Sequence, residues 1–372
     1  MERANPSLAE ILEALSHALD ITEGQPRGHA ARTCLITARI GEALQLSQPE
    51  RDNLFYASLI KDAGCSTNSA RIHMVFGGDE LLAKKNVKLV DWSNPLKSVG
   101  YAVANAEPGA PPMQRIRRML GMIGPPTKVM DEVTAARCFR GADIAKMLGF
   151  NEQVANAIRH LDEHWDGKGS PTHMAGDEIP LLARILCLAQ TLEVFVSELG
   201  PEAGFEMIRE RSGRWFDPSL VQTAFALQKD EAFWSFHRSH VEGQAPSLKP
   251  PHSADSATEA DVDQVCHAFA SIVDAKSSFT AEHSERVTRY ALEIAEDLGL
   301  DDERKTTLRR ASLLHDIGKL GVPNSILDKP ARLTDEEFDR VKLHPRFSYE
   351  ILSRVSGFDR VAEIAASHHE RL

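Results

Sequence analysis

From Val287 the apolar positions run Val287, Tyr290, Ala291, Ile294, Ala295 and Leu298. This is the i, i+3, i+4 stripe of an amphipathic helix over about 281–298, and Gly299 stops it. A further helix is expected after Leu333, where Thr334 and Glu337 have the N-cap and N3 spacing of a capping box and Leu333 and Phe338 are placed for a hydrophobic staple. Similar stripes recur at about 8–19, 30–46, 51–62, 140–160, 179–198, 304–316 and 360–369. Alternating strand patterns with hairpin turns are scarce. The pattern predicts an all-α fold.

Periodicity lapses between His237 and Asp261, where Pro246, Pro250, Pro251, Ser247, Ser253 and Ser256 collect. That is the composition of a linker, so two domains are expected, 1–240 and 261–372, joined through 241–260. A second loop, Asn105 to Pro112, lies in an irregular region of about 66–135 that has the character of an insertion. The two parts are related by an internal repeat. Shifting the chain by 254 residues lays His29–Cys65 over His283–Lys319 without a gap, with 12 of 37 positions identical. The match resumes weakly with Glu163 over Glu370. The chain reads as two copies of one helical domain.

The chain has 372 residues, 26% charged and 42% hydrophobic, enough for a buried core and about two domains, which excludes a disordered or fibrous protein. Its net charge is −11, so a polyanion needs a local positive site such as a metal, and nonspecific nucleic-acid binding is a poor reading. No stretch has the length of an apolar membrane span, and residues 1–25 lack the form of a signal peptide, so a cytoplasmic protein is expected. Five cysteines without a C-x-x-C pair suggest reduced, packed thiols. Any metal site must then be built of nitrogen and oxygen.

The second copy supplies such donors: His283, the pair His315-Asp316, His344 and the pair His368-His369. Five imidazoles and a carboxylate suit iron, manganese or zinc better than magnesium. Adjacent residues on a helix diverge by about 100°, so a pair such as His315-Asp316 can flank two ions, and a carboxylate can bridge them. Spacing alone leaves a structural role for these residues equally open.

The run Ala311-Ser312-Leu313-Leu314-His315-Asp316-Ile317-Gly318-Lys319-Leu320-Gly321-Val322-Pro323, followed by Lys329-Pro330, Leu333-Thr334, His344-Pro345 and His368-His369-Glu370-Arg371, resembles the HD-GYP subgroup of the HD phosphohydrolases over about residues 270–372. The resemblance implies that His283, His315, Asp316, His344, His368 and His369 are metal ligands and that Lys319 helps to position a scissile phosphate. It also implies metal-dependent hydrolysis of a phosphodiester such as cyclic di-GMP through two divalent ions, iron or manganese. Asp316 and Lys319 are then the residues closest to the chemistry. Two ions about 3.5–4 Å apart can polarise phosphoryl oxygens and make hydroxide at neutral pH, and a lysine can offset phosphate charge.

Several positions depart from the family pattern. Phe279 stands where three-metal members carry glutamate, so two ions are expected rather than three. Family members continue past His-His-Glu-Arg into an Asp-Gly-x-Gly-Tyr-Pro segment and a further aspartate ligand, whereas this chain ends at Leu372, so the second copy is expected to lack its last helices. In the first copy Lys61-Asp62 replaces His-Asp, Cys65 replaces the lysine, Leu161-Asp162 replaces the histidine pair, Ser170 stands for the family tyrosine and Gln190 for the further aspartate. That copy is expected to be silent, a packing or regulatory domain. Two other readings of the whole stay open: a noncatalytic signalling module with a homodimer or other signalling partner, and a nucleotide phosphohydrolase of the wider HD superfamily. Gly77-Gly78-Asp79-Glu80 is read as coincidence, and Arg115 to Arg118 as a solvated helix face.

Overall fold

Ser7 and Glu10 cap each other at the start of α1 (Leu8–Thr22), the Ser7 amide donating to Glu10 Oε2 at 2.8 Å and the Glu10 amide to Ser7 Oγ at 3.3 Å. The computed structural model describes residues 6–68, 89–90, 126–241, 248, 257–277 and 282–371. Most of the expected insertion at 66–135, with the Asn105–Pro112 loop, Gly77–Glu80 and Arg115–Arg118, lies outside them, as do Phe279 and most of the linker. Among the described residues there is no β-strand, and bridges such as that between Ser212 and Phe216 stay isolated, in keeping with the all-α expectation.

The first half continues with α2 (His29–Ala43), α3 (Gln48–Ile60), a 3-10 turn at Ala63–Asn68, α4 (Pro126–Met147), α5 (Glu152–Arg159), α6 (Leu181–Leu199), α7 (Pro201–Arg211), α8 (Pro218–Ala224) and α9 (Glu231–Val241). The second half holds α10 (Glu259–Asp274), α11 (His283–Asp297), α12 (Asp302–Leu314), a 3-10 turn at Ile317–Gly321, α13 (Asn324–Leu327), α14 (Asp335–Val341), α15 (His344–Leu352) and α16 (Asp359–Ala366). The repeat is structural as well as sequential. Adding 254 to the bounds of α2 and α3 returns those of α11 and α12, and adding 207 to those of α5 returns those of α16. The same device starts α2 and α11: an aspartate from the preceding helix accepts amide protons of the first turn. Asp20 takes those of Gly28 and Ala30 at 2.7 and 3.0 Å, and Asp274 takes that of Ser284 at 3.1 Å.

Three expected boundaries change. The stripe at 140–160 is two helices, because Gly149 adopts a left-handed φ of +82° and the Asn151 side chain then caps the amides of Gln153 and Val154. The irregular region expected to reach 135 gives way to helix at Pro126. The helix expected at 360–369 stops at Ala366, because the imidazole of His368 donates to the Ala365 carbonyl at 2.6 Å and takes the acceptor that a continuing helix would use. The linker expected at 241–260 also narrows at both ends: α9 runs to Val241, and α10 starts at Glu259 behind the Thr258 cap. The Thr334–Glu337 capping box forms, but Phe338 stays 52% exposed beneath the Lys342 ammonium, so burial is not what it contributes.

The halves pack reciprocally. α1 lies against the turn Ile317–Gly321 and α15 of the second half, while α10 lies against the turn Ala63–Asn68 and α4 of the first. Ile11, Leu12, Leu15 and Leu19 of α1 join Val265, Phe269 and Ile272 of α10 and Leu313, Leu314 and Ile317 in one continuous core. Each such side chain stabilises by about 1.5–3 kcal/mol through removal from water. What remains of the linker in view is tied to α1: the Leu248 amide donates to Glu13 at 2.9 Å and the Ala257 amide to the Pro6 carbonyl at 3.0 Å.

Candidate metal centre

All six side chains expected to bind metal meet in the second half. Three of them stand just past the C-termini of helices and repeat one local bond. His315 after α12, His344 after α14 and His368 after α16 each point Nδ1 at the backbone carbonyl three residues earlier, at 2.7, 2.6 and 2.6 Å from Ser312, Val341 and Ala365. A carbonyl only accepts, so Nδ1 carries the proton and Nε2 turns inward. The carbonyl ends of three helices therefore converge on the site and favour positive charge there.

Asp316 sits at the centre, 2% exposed. Its Oδ2 lies 3.1 Å from His315 Nε2 and 3.7 Å from His283 Nε2, and accepts from Lys319 Nζ at 2.6 Å. Its Oδ1 faces His344 Nε2 at 3.3 Å and His368 Nε2 at 3.6 Å, yet has no hydrogen-bond partner of acceptable geometry. His344 Nε2 and His368 Nε2 are only 3.1 Å apart. Two inward nitrogens at that distance, with a buried carboxylate oxygen left unbonded, fit a bound cation and conflict in its absence. The donors fall into two triads, His283–His315–Asp316 and His344–His368–His369, each able to hold a metal ion, with ligand atoms within 4.8 Å of one another.

The electrostatics agree. Burial would raise the Asp316 carboxyl, but His315, His344 and His368 hold it far below the usual carboxylate range, so it is ionised. Burial lowers His283 and His369 and favours the neutral imidazole that a metal requires. In His315 burial acts the same way, but the adjacent Asp316 outweighs it and the imidazole is raised.

Ser348 and Gly318 position these donors, and Ser348 escaped the sequence reading. Ser348 Oγ donates to the His315 carbonyl at 2.7 Å and accepts the Gly318 amide at 3.0 Å, pinning α15 to the His315–Gly318 turn. Gly318 permits that approach: a Cβ there would lie 2.0 Å from the His344 carbonyl oxygen. Gly64 repeats the arrangement in the first half, its added Cβ falling 1.9 Å from the Arg137 carbonyl oxygen. Arg137 is thus the spatial counterpart of His344, a correspondence legible as the same 207-residue shift that relates Glu163 to Glu370.

A cleft of about 620 Å³ opens beside the cluster, with Val287, Leu308 and Ile364 on its apolar wall and Arg360 paired to Glu363 at 2.6 Å on its rim. The face of α11 continuing from that wall is exposed, Tyr290 by 53% and Ile294 by 60%. At the equivalent positions of α2, Ile36 and Ile40 are buried on the helix against which α6 packs.

An all-α frame gathers a His-Asp couple among further histidines, a donor set that fits a metal ion. The HD domain model matches residues 126–220 and 267–372, one match in each half. The chain is 42% identical over 367 residues to the 3'3'-cGAMP-specific phosphodiesterase 3 of Vibrio cholerae, covering 98% of this chain and 79% of that protein. It therefore belongs to the HD-domain family of phosphohydrolases, as the motifs from Ala311 to Arg371 imply. A cyclic di-GMP phosphodiesterase of Thermotoga maritima is 45% identical over 94 residues, 25% of this chain and 26% of that protein. A solved structure of a cyclic GMP-AMP specific phosphodiesterase of Vibrio cholerae matches with a TM-score of 0.67 and 38% identity, covering 98% of this chain and 83% of that one. Among the described residues no helix is long and apolar enough to cross a membrane.

Proposed function

We propose that the chain is a metal-dependent phosphodiesterase that hydrolyses a cyclic dinucleotide, and that 3'3'-cGAMP is its preferred substrate, ahead of cyclic di-GMP. The observation that carries the reading is the division of Asp316, with one oxygen turned to His283 and His315 and the other to His344 and His368. The preference for 3'3'-cGAMP draws support from the relatives that match nearly the whole chain. In this reading the chain is two HD-type units, 1–240 and 261–372, joined by 241–260, and chemistry belongs to the second.

His283, His315 and Asp316 would hold one divalent ion, and His344, His368, His369 and Asp316 a second, iron or manganese by the mixed imidazole and carboxylate donors. Such ions supply Lewis-acid stabilisation of the phosphoryl oxygens and a water acidic enough to ionise near neutral pH. Lys319, 24% exposed along its side chain and held by Asp316, presents a cation at the mouth of the cluster, where it offsets charge on a scissile phosphate. The carbonyl bonds at Nδ1 keep the three inward histidines from rotating, so the site is organised before substrate arrives.

The test is turnover of 3'3'-cGAMP, cyclic di-GMP and bis(p-nitrophenyl) phosphate by anaerobically purified, iron- or manganese-loaded protein, with products resolved by chromatography. Linear dinucleotide from 3'3'-cGAMP at the highest kcat/KM is expected. Metal-loaded protein that opens none of the three refutes the reading, and equal or faster opening of cyclic di-GMP refutes the preference.

A further inference from the structure

The first half carries a buried cluster at the place equivalent to the metal centre, and it too contains a group with metal-binding geometry, Glu23, Asp62 and Cys65. Its surroundings differ in one respect. Where the second half sets imidazoles around Asp316, the first half sets lysine and arginine side chains around its carboxylates. Lys61, the counterpart of His315, pairs with Asp62, and both are buried. Arg137, the counterpart of His344, pairs with Asp162, its Nε standing 2.9 Å from Asp162 Oδ2, and its Nη1 reaches Glu23 at 3.4 Å and Cys65 Sγ at 3.7 Å. His29 keeps the position of His283, 3.9 Å from Asp62 compared with 3.7 Å in the second half, but its Nδ1 is engaged by Glu193, which Arg32 also holds at 2.5 Å.

We infer that Lys61 and Arg137 occupy the first half's metal site as built-in cations, so that Glu23, Asp62 and Asp162 are neutralised by side chains and this half is organised without metal. The inference rests on reading the second half as a metal centre. Three things follow from the geometry. The Arg137 guanidinium bridges Glu23 and Cys65, so the third candidate group is already occupied by a cation that cannot be titrated away. The Lys61–Asp62 pair is buried, and loss of one partner leaves an uncompensated charge, so Lys61 stabilises the fold of this half. The metal-free half in turn packs α1 against the turn that bears Asp316 and Lys319, with Ile21 Cγ2 3.3 Å from where a Cβ on Gly321 would stand.

Metal content of the full chain tests this directly. Wild type and the double variant His315→Ala/Asp316→Ala are loaded with Mn²⁺ or Fe²⁺, desalted and assayed by elemental analysis. The inference expects metal in the wild type, and expects whatever the double variant still holds at His344, His368 and His369 to be unchanged by adding Asp62→Ala. Residual metal that disappears on adding Asp62→Ala overturns it and makes Glu23–Asp62–Cys65 a binding site. Absence of metal from the wild type overturns instead the metal-centre reading on which the inference rests. A second measurement is thermal unfolding of metal-free protein. Lys61→Met is expected to lower Tm by roughly 5 °C or more, or to prevent folding, while Lys61→Arg, which keeps the charge, retains at least half of the lost stability. A Lys61→Met variant as stable as the wild type overturns the inference.

Discussion

Replacing Gly318 by alanine separates the geometry of the metal centre from its composition, because no ligand is changed. The new Cβ would lie 2.0 Å from the His344 carbonyl oxygen, 2.9 Å from its carbonyl carbon and 2.7 Å from the Ser348 amide nitrogen. All three are backbone atoms of α15, so no rotamer relieves the contact, and α15 must retreat by about 1.4 Å or more to reach ordinary van der Waals separation. His344 moves with its own carbonyl, away from Asp316 Oδ1, to which its Nε2 now stands at 3.3 Å. Metal sites tolerate errors of about 0.2 Å in ligand distance, and disturbance of supporting contacts typically costs 10–100-fold in affinity. We expect Gly318→Ala to weaken metal binding by about 10–100-fold and to destabilise the metal-free protein by about 1–3 kcal/mol, the usual cost of overpacking. Gly64→Ala is the internal control, since it creates the same clash with Arg137 in the first half. It should cost similar stability and leave metal affinity within about twofold. Anaerobic competition against a chromophoric chelator, with differential scanning calorimetry of the stripped proteins, measures both. Wild-type affinity in Gly318→Ala, or equal loss in Gly64→Ala, refutes the reasoning.

Three further outcomes are expected. Lys319→Met should lower kcat by about 10²–10³ with metal content unchanged, as removal of one charge-stabilising donor does elsewhere, and loss of the metal along with the rate would show that the lysine serves the site's assembly. Chelation of metal from the wild type should lower the Tm of the transition that contains the second half, by an amount equivalent to about 4 kcal/mol when metal stands at a thousand times its Kd, while His315→Ala/Asp316→Ala shows a smaller response in calorimetry. Glu13, pushed up from 4.5 to about 7 by burial against the lowering effect of the Leu248 amide, stays protonated in the folded chain where the unfolded chain has ionised. Its contribution to stability is therefore present below about pH 4.5 and is lost as pH rises to about 7. Glu13→Gln should be the more stable protein at pH 8 by about 2 kcal/mol, allowing for partial exposure, and indistinguishable from wild type at pH 4, and a pH-independent difference in urea melts contradicts this.

Much of this protein is local and was legible from residues alone. The helices are amphipathic stripes closed by short-range caps, so the Thr334–Glu337 box and the stop at Gly299, φ +67°, appear where the pattern places them. The repeat carried the helices of one half onto the other, and the six donors from His283 to His369 do gather. Where the stripes misled, a side chain competed with the backbone: Asn151 capped a new helix, and His368 took the carbonyl that would have prolonged α16. Tertiary structure decided the rest. Only the packing of α15 on the Ile317–Gly321 turn shows that one Asp316 oxygen faces each triad and that Ser348 and Gly318 set the separation. The matching packing of α4 on Ala63–Asn68 sets Arg137 in the place of His344, and with Lys61 makes it the source of positive charge in the first half. Residue type and period are written along the chain, whereas the pairing of a charge with its neighbour across 114 residues, as between Arg137 and Glu23, is settled by which backbones can approach, and that depends on the folded whole.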